Sequence, residues 1–234
     1  MAAKDRKTTL ATHLKHAILT TARQPGADLD EAAICAEFGL SRTPVREVFR
    51  ELAGLGYIDL RDNRGPRVAD LTHTTLRDFF LAAPMIYGAI LRLAARNATD
   101  VQIQALRGAQ ERFRAALRDG STPDRTLANN RFHEITGEMA GNIYLLPSFH
   151  RLLIDHARIS MTFYRPENAT MADSVAEASR QHDAIIDAIA ARDEAQSAQL
   201  AEDHWNLSRH EIERFVMPTA LEVPMGQITR SSPA

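Results

Sequence analysis

The sequence predicts a mostly α-helical chain in two parts: a small helix-turn-helix unit with a two-stranded wing, then an all-α six-helix bundle. Three observations predict this. Residues 29–71 read as helix, glycine turn, helix and two short alternating strands. From Thr72 to about Met217 helical periodicity recurs with no strand pattern, broken by polar turns. The 234 residues also leave room for a domain of about 70 residues and one of about 150.

The first part is justified element by element. Leu29 to Phe38 makes a short amphipathic helix with Ala33, Ile34 and Phe38 facing inward, and Gly39 stands where a helix C-cap glycine belongs. The segment Gly39 to Val48 (GLSRTPVREV) then reads as a turn and the start of a second helix. Thr43 is the expected N-cap, and Pro44 falls at the first helical position, where a missing N–H is harmless. Val45, Val48, Phe49 and Leu52 follow at i, i+3, i+4 and i+7, so one face is buried. Arg42, Arg46 and Arg50 lie off that stripe. A helix with arginines near its start suits a major-groove reader, whose first residues meet base edges and whose free N–H groups meet phosphate. Tyr57–Leu60 and 67–71 alternate as strands around a turn at 61–66, giving a wing with Arg61, Arg64 and Arg67 about its tip.

The second part divides into helices at about 73–97, 99–119, 123–140, 142–164, 169–191 and 194–216. Thr99 and Ser121 or Thr122 are the expected N-caps. The first of these helices is apolar on much of its circumference and should be central, or shared with a dimer partner. Pro84 should kink or divide it. Residues 218–234 lack periodicity and are expected to form a flexible tail.

Composition narrows the function. Net charge is −2 and the isoelectric point about 6.5. Residues 1–70 hold 11 Lys and Arg against 10 Asp and Glu, so DNA affinity must rest on placed arginines rather than bulk charge. No uninterrupted apolar run approaches the roughly 18 residues of a membrane span, and no signal peptide opens the chain. The single Cys35 reads as core packing and fits a reducing cytoplasm, the expected location. No GxSxG, glycine-rich phosphate loop or HExxH motif is present, so an enzyme is not expected.

The histidines carry the remaining chemistry. His133 follows Asn129 by four residues and shares its helix face, while His182 and His204 stand on two later helices. Three imidazoles and an amide oxygen could hold a divalent metal. Surface or hydrogen-bonded core histidines are the alternative. Glu134 and Asp183 are turned about 100° from their neighbours, so no general base is placed.

The segments Arg23–Glu31, Gly39–Glu47 with its Ser-Arg-Thr-Pro-Val-Arg-Glu core, Leu52–Tyr57 and Arg64–Val68 together resemble the winged helix of GntR-type bacterial transcription regulators over residues 7–71. That resemblance implies three helices plus the wing, with Arg42, Thr43, Arg46 and Gly65 contacting operator DNA. Arg50 and Arg64 join them from the helix face and the wing. Where some members carry a DNA-reaching arginine, this chain has Ala32. Residues 129–142 and 182–204 resemble the helical FCD domain of the FadR-type branch, in its VanR-like group. The resemblance implies a divalent metal, Zn²⁺ or else Ni²⁺, held by Asn129, His133, His182 and His204. Asn129 replaces the usual Asp, which leaves the full +2 charge and raises the demand for an anionic ligand. A family arginine and glutamate of the first bundle helix are here Ala83 and Tyr87. Arg158 is the candidate substitute cation, the alternative being a solvated helix-face arginine, and Arg158 and Tyr87 are the expected effector-binding residues.

The expected protein is therefore a cytoplasmic, ligand-responsive regulator. Residues 1–71 bind DNA, and residues 72–217 bind metal and effector and dimerise. A homodimer would repress from a pseudopalindromic operator until a small organic-acid effector releases it. The alternative is a metal-stabilised architectural DNA-binding protein, or an activator without a carboxylate effector.

Overall fold

The computed structural model describes residues 3–61 and 64–216. The wing residues Asp62 and Asn63 and the tail 218–234 lie outside the described residues. In order the elements are α1 (Ala3–Leu19), α2 (Glu31–Phe38), α3 (Arg42–Leu55), β1 (Ile58–Arg61), β2 (Gly65–Val68), α4 (His73–Asn97), α5 (Asp100–Asp119), α6 (Thr122–Ala140), α7 (Leu146–Phe163), α8 (Ala169–Ala190) and α9 (Glu194–Val216). The winged helix and the six-helix bundle of the sequence reading are both present.

In the first unit α1, α2 and α3 close over Leu10, Leu14, Ile34, Val45, Val48, Phe49 and Leu52. The α3 stripe is buried as its spacing requires. Asp30 caps α2 by accepting from the Ala32 and Ala33 N–H groups. Two local details differ from expectation. Ala33 is exposed, because the short α2 turns only Ile34 fully inward. The N-cap of α3 is Ser41, in extended conformation, so Thr43 and Pro44 are the second and third helical residues. Pro44 is still harmless there, since the first four helical N–H groups have no partner within the helix. In the wing β1 pairs antiparallel with β2, Ile58 opposite Val68 and Arg61 opposite Gly65. The second strand thus starts two residues before the alternation alone suggests and ends at Val68. Residues 26–29 extend this sheet through Val68 N–H to Ala27 O (2.9 Å) and Leu29 N–H to Pro66 O (2.9 Å).

In the bundle α4 is the central helix, packed against α6, α7, α8 and α9. It is long and apolar enough to resemble a membrane span by composition alone. Its apolar residues are instead used in packing: Phe79, Ala83, Tyr87, Ile90, Leu91, Ala94 and Ala95 are buried in the main core. The helix continues undivided through Pro84. Reciprocal capping boxes start α4 (Thr72 with Thr75), α5 (Thr99 with Gln102) and α6 (Ser121 with Asp124). α7 starts four residues later than expected. Asn142 Oδ1 accepts from the N–H groups of Tyr144 and Leu145, holding a turn, and Pro147 sits in the first helical turn.

The two units meet along α7. Leu19 of α1 packs with Ile154 and Ala157, and Tyr57 and Leu127 cover them. Gly56, at φ 88°, lies so close to Arg151 that a Cβ there would come within 2.3 Å of that side chain. This glycine serves both the left-handed end of α3 and the close approach of α7.

Candidate metal centre and nucleic-acid interface

The exposed face of α3 and the wing is organised around one carboxylate. Glu31, the first residue of α2, accepts from Arg46 Nε at 2.8 Å and lies 3.6 Å from Arg42 Nε. Both arginines stay largely solvent-exposed, as do Arg50 and Arg64. Arg46, Arg50, Arg61 and Gly65 line one groove between α3 and the wing, of about 270 Å³. Gly65 has φ 73° and open space around it, so glycine is needed there for conformation and not for room. Thr43 is exposed on the first turn of α3. Arg61 and Arg67 are engaged by Asp28 (2.7 Å) and Asp70 (2.6 Å), which separates them from the freer Arg64.

Deep in the bundle His133 of α6, His182 of α8 and His204 of α9 converge, each offering a nitrogen within 4.8 Å of the others. Asn129, one helical turn before His133, is 1% exposed. The Nε2 atoms of His133 and His182 and the Oδ1 of Asn129 are buried without a hydrogen-bond partner. Buried polar groups are rarely left so. Their other sides are held. His182 Nδ1–H donates to Gln110 Oε1 (3.1 Å), and Gln110 is fixed in turn by donating to Ser179 O (2.8 Å) and Asp183 Oδ1 (3.1 Å). His204 Nδ1–H donates to Gln181 Oε1 (2.9 Å). Holding Nδ1 leaves Nε2 as the lone-pair nitrogen of each ring, the outer support typical of metal-ligating histidines. Phe132 stacks on His182 at 3.8 Å. Burial first, and the neighbouring imidazoles second, hold His133 and His182 well below the ordinary histidine range; burial alone brings His204 down to about 4. All are neutral lone-pair donors near neutrality. Orphaned nitrogens, an orphaned amide oxygen and supported tautomers fit a divalent ion.

Tyr87 reaches this centre. Its hydroxyl and His156 Nδ1 lie 2.7 Å apart, and burial, then the charge of His204, lowers His156 to about 3. Tyr87, His156, Ile185 and Trp205 close over His133 and His204, leaving about 10 Å³, roughly one water. Trp205 Nε1 is buried there with no partner. Arg158 does not join them, which corrects the sequence expectation. Its side chain is fully buried on the opposite side of α7, where it donates to Ala69 O (2.5 Å) and Asp70 O (3.5 Å) and pairs with Asp155. Sequence reasoning also missed Gln110, Gln181, His156 and Trp205. Only His156 and Trp205 carried a local sign, as polar aromatics within amphipathic helices.

Comparisons with known proteins agree with this two-part architecture. Residues 84–207 match the FCD domain model, and residues 6–68 match that of bacterial regulatory proteins, gntR family. The probable D-xylose utilization operon transcriptional repressor of Paenarthrobacter nicotinovorans is 31% identical over 194 residues, 80% of this chain and 81% of that protein. The HTH-type transcriptional repressor GlaR of Escherichia coli (strain K12) is 25% identical over 195 residues, 82% of this chain and 88% of that one. Among solved structures, E. coli McbR/YncC superposes with a TM-score of 0.76 at 18% identity, covering 92% of this chain and all of that one, a likeness of fold.

Proposed function

This chain belongs to the GntR family of bacterial transcription regulators, with an FCD domain behind its winged helix, and from that premise we propose that it is a cytoplasmic repressor acting as a homodimer and released from its operator by a small carboxylate. In this reading residues 1–71 bind DNA and residues 72–217 sense and dimerise. Two winged helices take the half-sites of a pseudopalindrome. Arg42, Thr43, Arg46 and Arg50 face the major groove, and Arg64 and Gly65 bring the wing to the minor groove. The exposed Leu81 and Met85, beside Gly88 and Ala89 on α4, form the self-complementary face.

The buried cluster of three histidines with Asn129 is the observation that carries the sensing role. Asn129, His133, His182 and His204 would hold a divalent ion, Zn²⁺ or Ni²⁺, which would supply a concentrated positive charge at the end of the cavity. Tyr87 and His156 offer the hydrogen-bonding wall opposite, and Trp205 Nε1–H offers a donor to an acceptor oxygen. With room for about one water, the carboxylate enters by displacing Trp205 and with it α9. It shifts the equilibrium only as far as it prefers the displaced arrangement.

The test is release of labelled upstream DNA by the metal-loaded protein against a panel of organic acids at fixed salt, with His204→Ala as control. Release by one acid in the wild type, lost in His204→Ala, is expected. DNA binding that no acid disturbs overturns the sensing role and leaves an architectural protein or an activator without a carboxylate effector.

A further inference from the structure

The seam between the winged helix and the bundle holds a cavity that neither the operator face nor the histidine cluster uses. It encloses about 310 Å³, at the small end of the range that accepts metabolites. Leu19, Leu55 and Tyr57 wall it from the winged helix; Asn130, Glu134 and His150 wall it from the bundle.

One buried polar atom on its wall lacks a partner. Asn130 is 6% exposed. Its Nδ2 donates to Glu134 Oε1 (2.8 Å), which leaves Oδ1 buried and without a donor. The half-buried Tyr57 and the exposed His150 border the cleft beside it. A buried acceptor left unmatched is costly, so the Asn130 Oδ1 on this cleft points to an occupant that supplies a donor. The charge balance indicates its sign. Glu134 and Glu138 share a single guanidinium, Arg131, at 3.1 and 2.7 Å. Lys15, on the facing wall, is engaged by Glu51 at 3.7 Å and by the Tyr57 ring at 5.9 Å. The α6 side of the cleft therefore keeps one uncompensated negative charge.

We propose that this seam is a second ligand site, for a small amphipathic amine. Its ammonium group donates to Asn130 Oδ1 and the Glu134 carboxylate, and its apolar body lies against Leu19, Leu55 and the Tyr57 ring. Carboxylates are rejected by Glu134 and Glu138. The walls belong to both units, so occupancy fixes their relative placement and with it the spacing offered to the operator. Asn130 and Glu134 directly follow Asn129 and His133 on α6, turned about 100° away. The two sites share a helix and not a cavity.

Calorimetric titration of the full chain with primary amines from butylamine to phenethylamine tests this, with alcohols and carboxylates of the same length for comparison. Saturable binding of an amine is expected, about tenfold weaker in Glu134→Gln. Leu55→Trp, at a half-exposed position that fills the cleft from the other wall, should abolish it, and His204→Ala should leave it unchanged. Absence of amine binding, equal binding of amine and alcohol, or loss in His204→Ala with retention in Leu55→Trp would overturn the proposal. A failed acid response with intact amine binding leaves this site standing without the metal-dependent one.

Discussion

Glu31 takes the Arg46 Nε and so orients the guanidinium; in the proposed operator contact its terminal nitrogens would meet a base edge. Arg46→Ala should weaken specific operator binding by about 1–3 kcal/mol, read by anisotropy on operator and scrambled duplexes. An equal loss on both, with a shallower salt slope, would mean a phosphate contact instead. The histidines give a pH signature. Unfolded, each titrates near 6.5; folded, His204 and His156 titrate near 4 and 3, and His133 and His182 lie well below the ordinary value. The unfolded chain therefore binds more protons as pH drops from about 6.5 toward 4, and stability falls across that window, by up to about 1.4 kcal/mol per pH unit for each such histidine. Denaturant titrations of metal-free protein at several pH values should show this loss, reduced in His156→Gln. Asn129→Asp should raise metal affinity against a competing chelator and weaken the effector; an unchanged effector affinity would refute the charge argument.

α7 is the element where the two units are joined. One side brings His156 to Tyr87 beside the histidine cluster, and the other brings Arg158 to the linker carbonyls of Ala69 and Asp70. Arg158→Met removes that clamp and leaves Asp155 with Arg151 alone. It should cost about 3 kcal/mol in urea unfolding followed by Trp205 fluorescence, and should weaken the response of DNA affinity to effector. An unchanged midpoint would show that the linker is held elsewhere. This element also marks where the sequence stops being legible. The α3 stripe, the Gly39 and Gly56 helix ends and the capping boxes at Thr99 and Ser121 rest on neighbours a few residues apart, and they read directly. The start of α7 depended on an Asn142 turn that competes with helix. The direction of Arg158, and the support of His182 by Gln110, depend on contacts between segments 69–89 residues apart in sequence.

At the scale of the whole molecule, α4 buries one face and leaves Leu81 and Met85 exposed at 66% and 71%. The sequence showed an apolar circumference but not which side stays open, since that is settled only once α6, α7, α8 and α9 have taken theirs. Met85→Glu should give a monomer by light scattering and lose operator affinity together with it; a species of unchanged mass would place the dimer contact on another surface.

The closeness of Trp205, Tyr87 and His156 over the histidine cluster also sets a time scale. On the proposed reading an ion held there would exchange only when α9 lifts, a local unfolding event. Such a centre would not follow the momentary metal supply. It would keep a record of what was present when the bundle last closed.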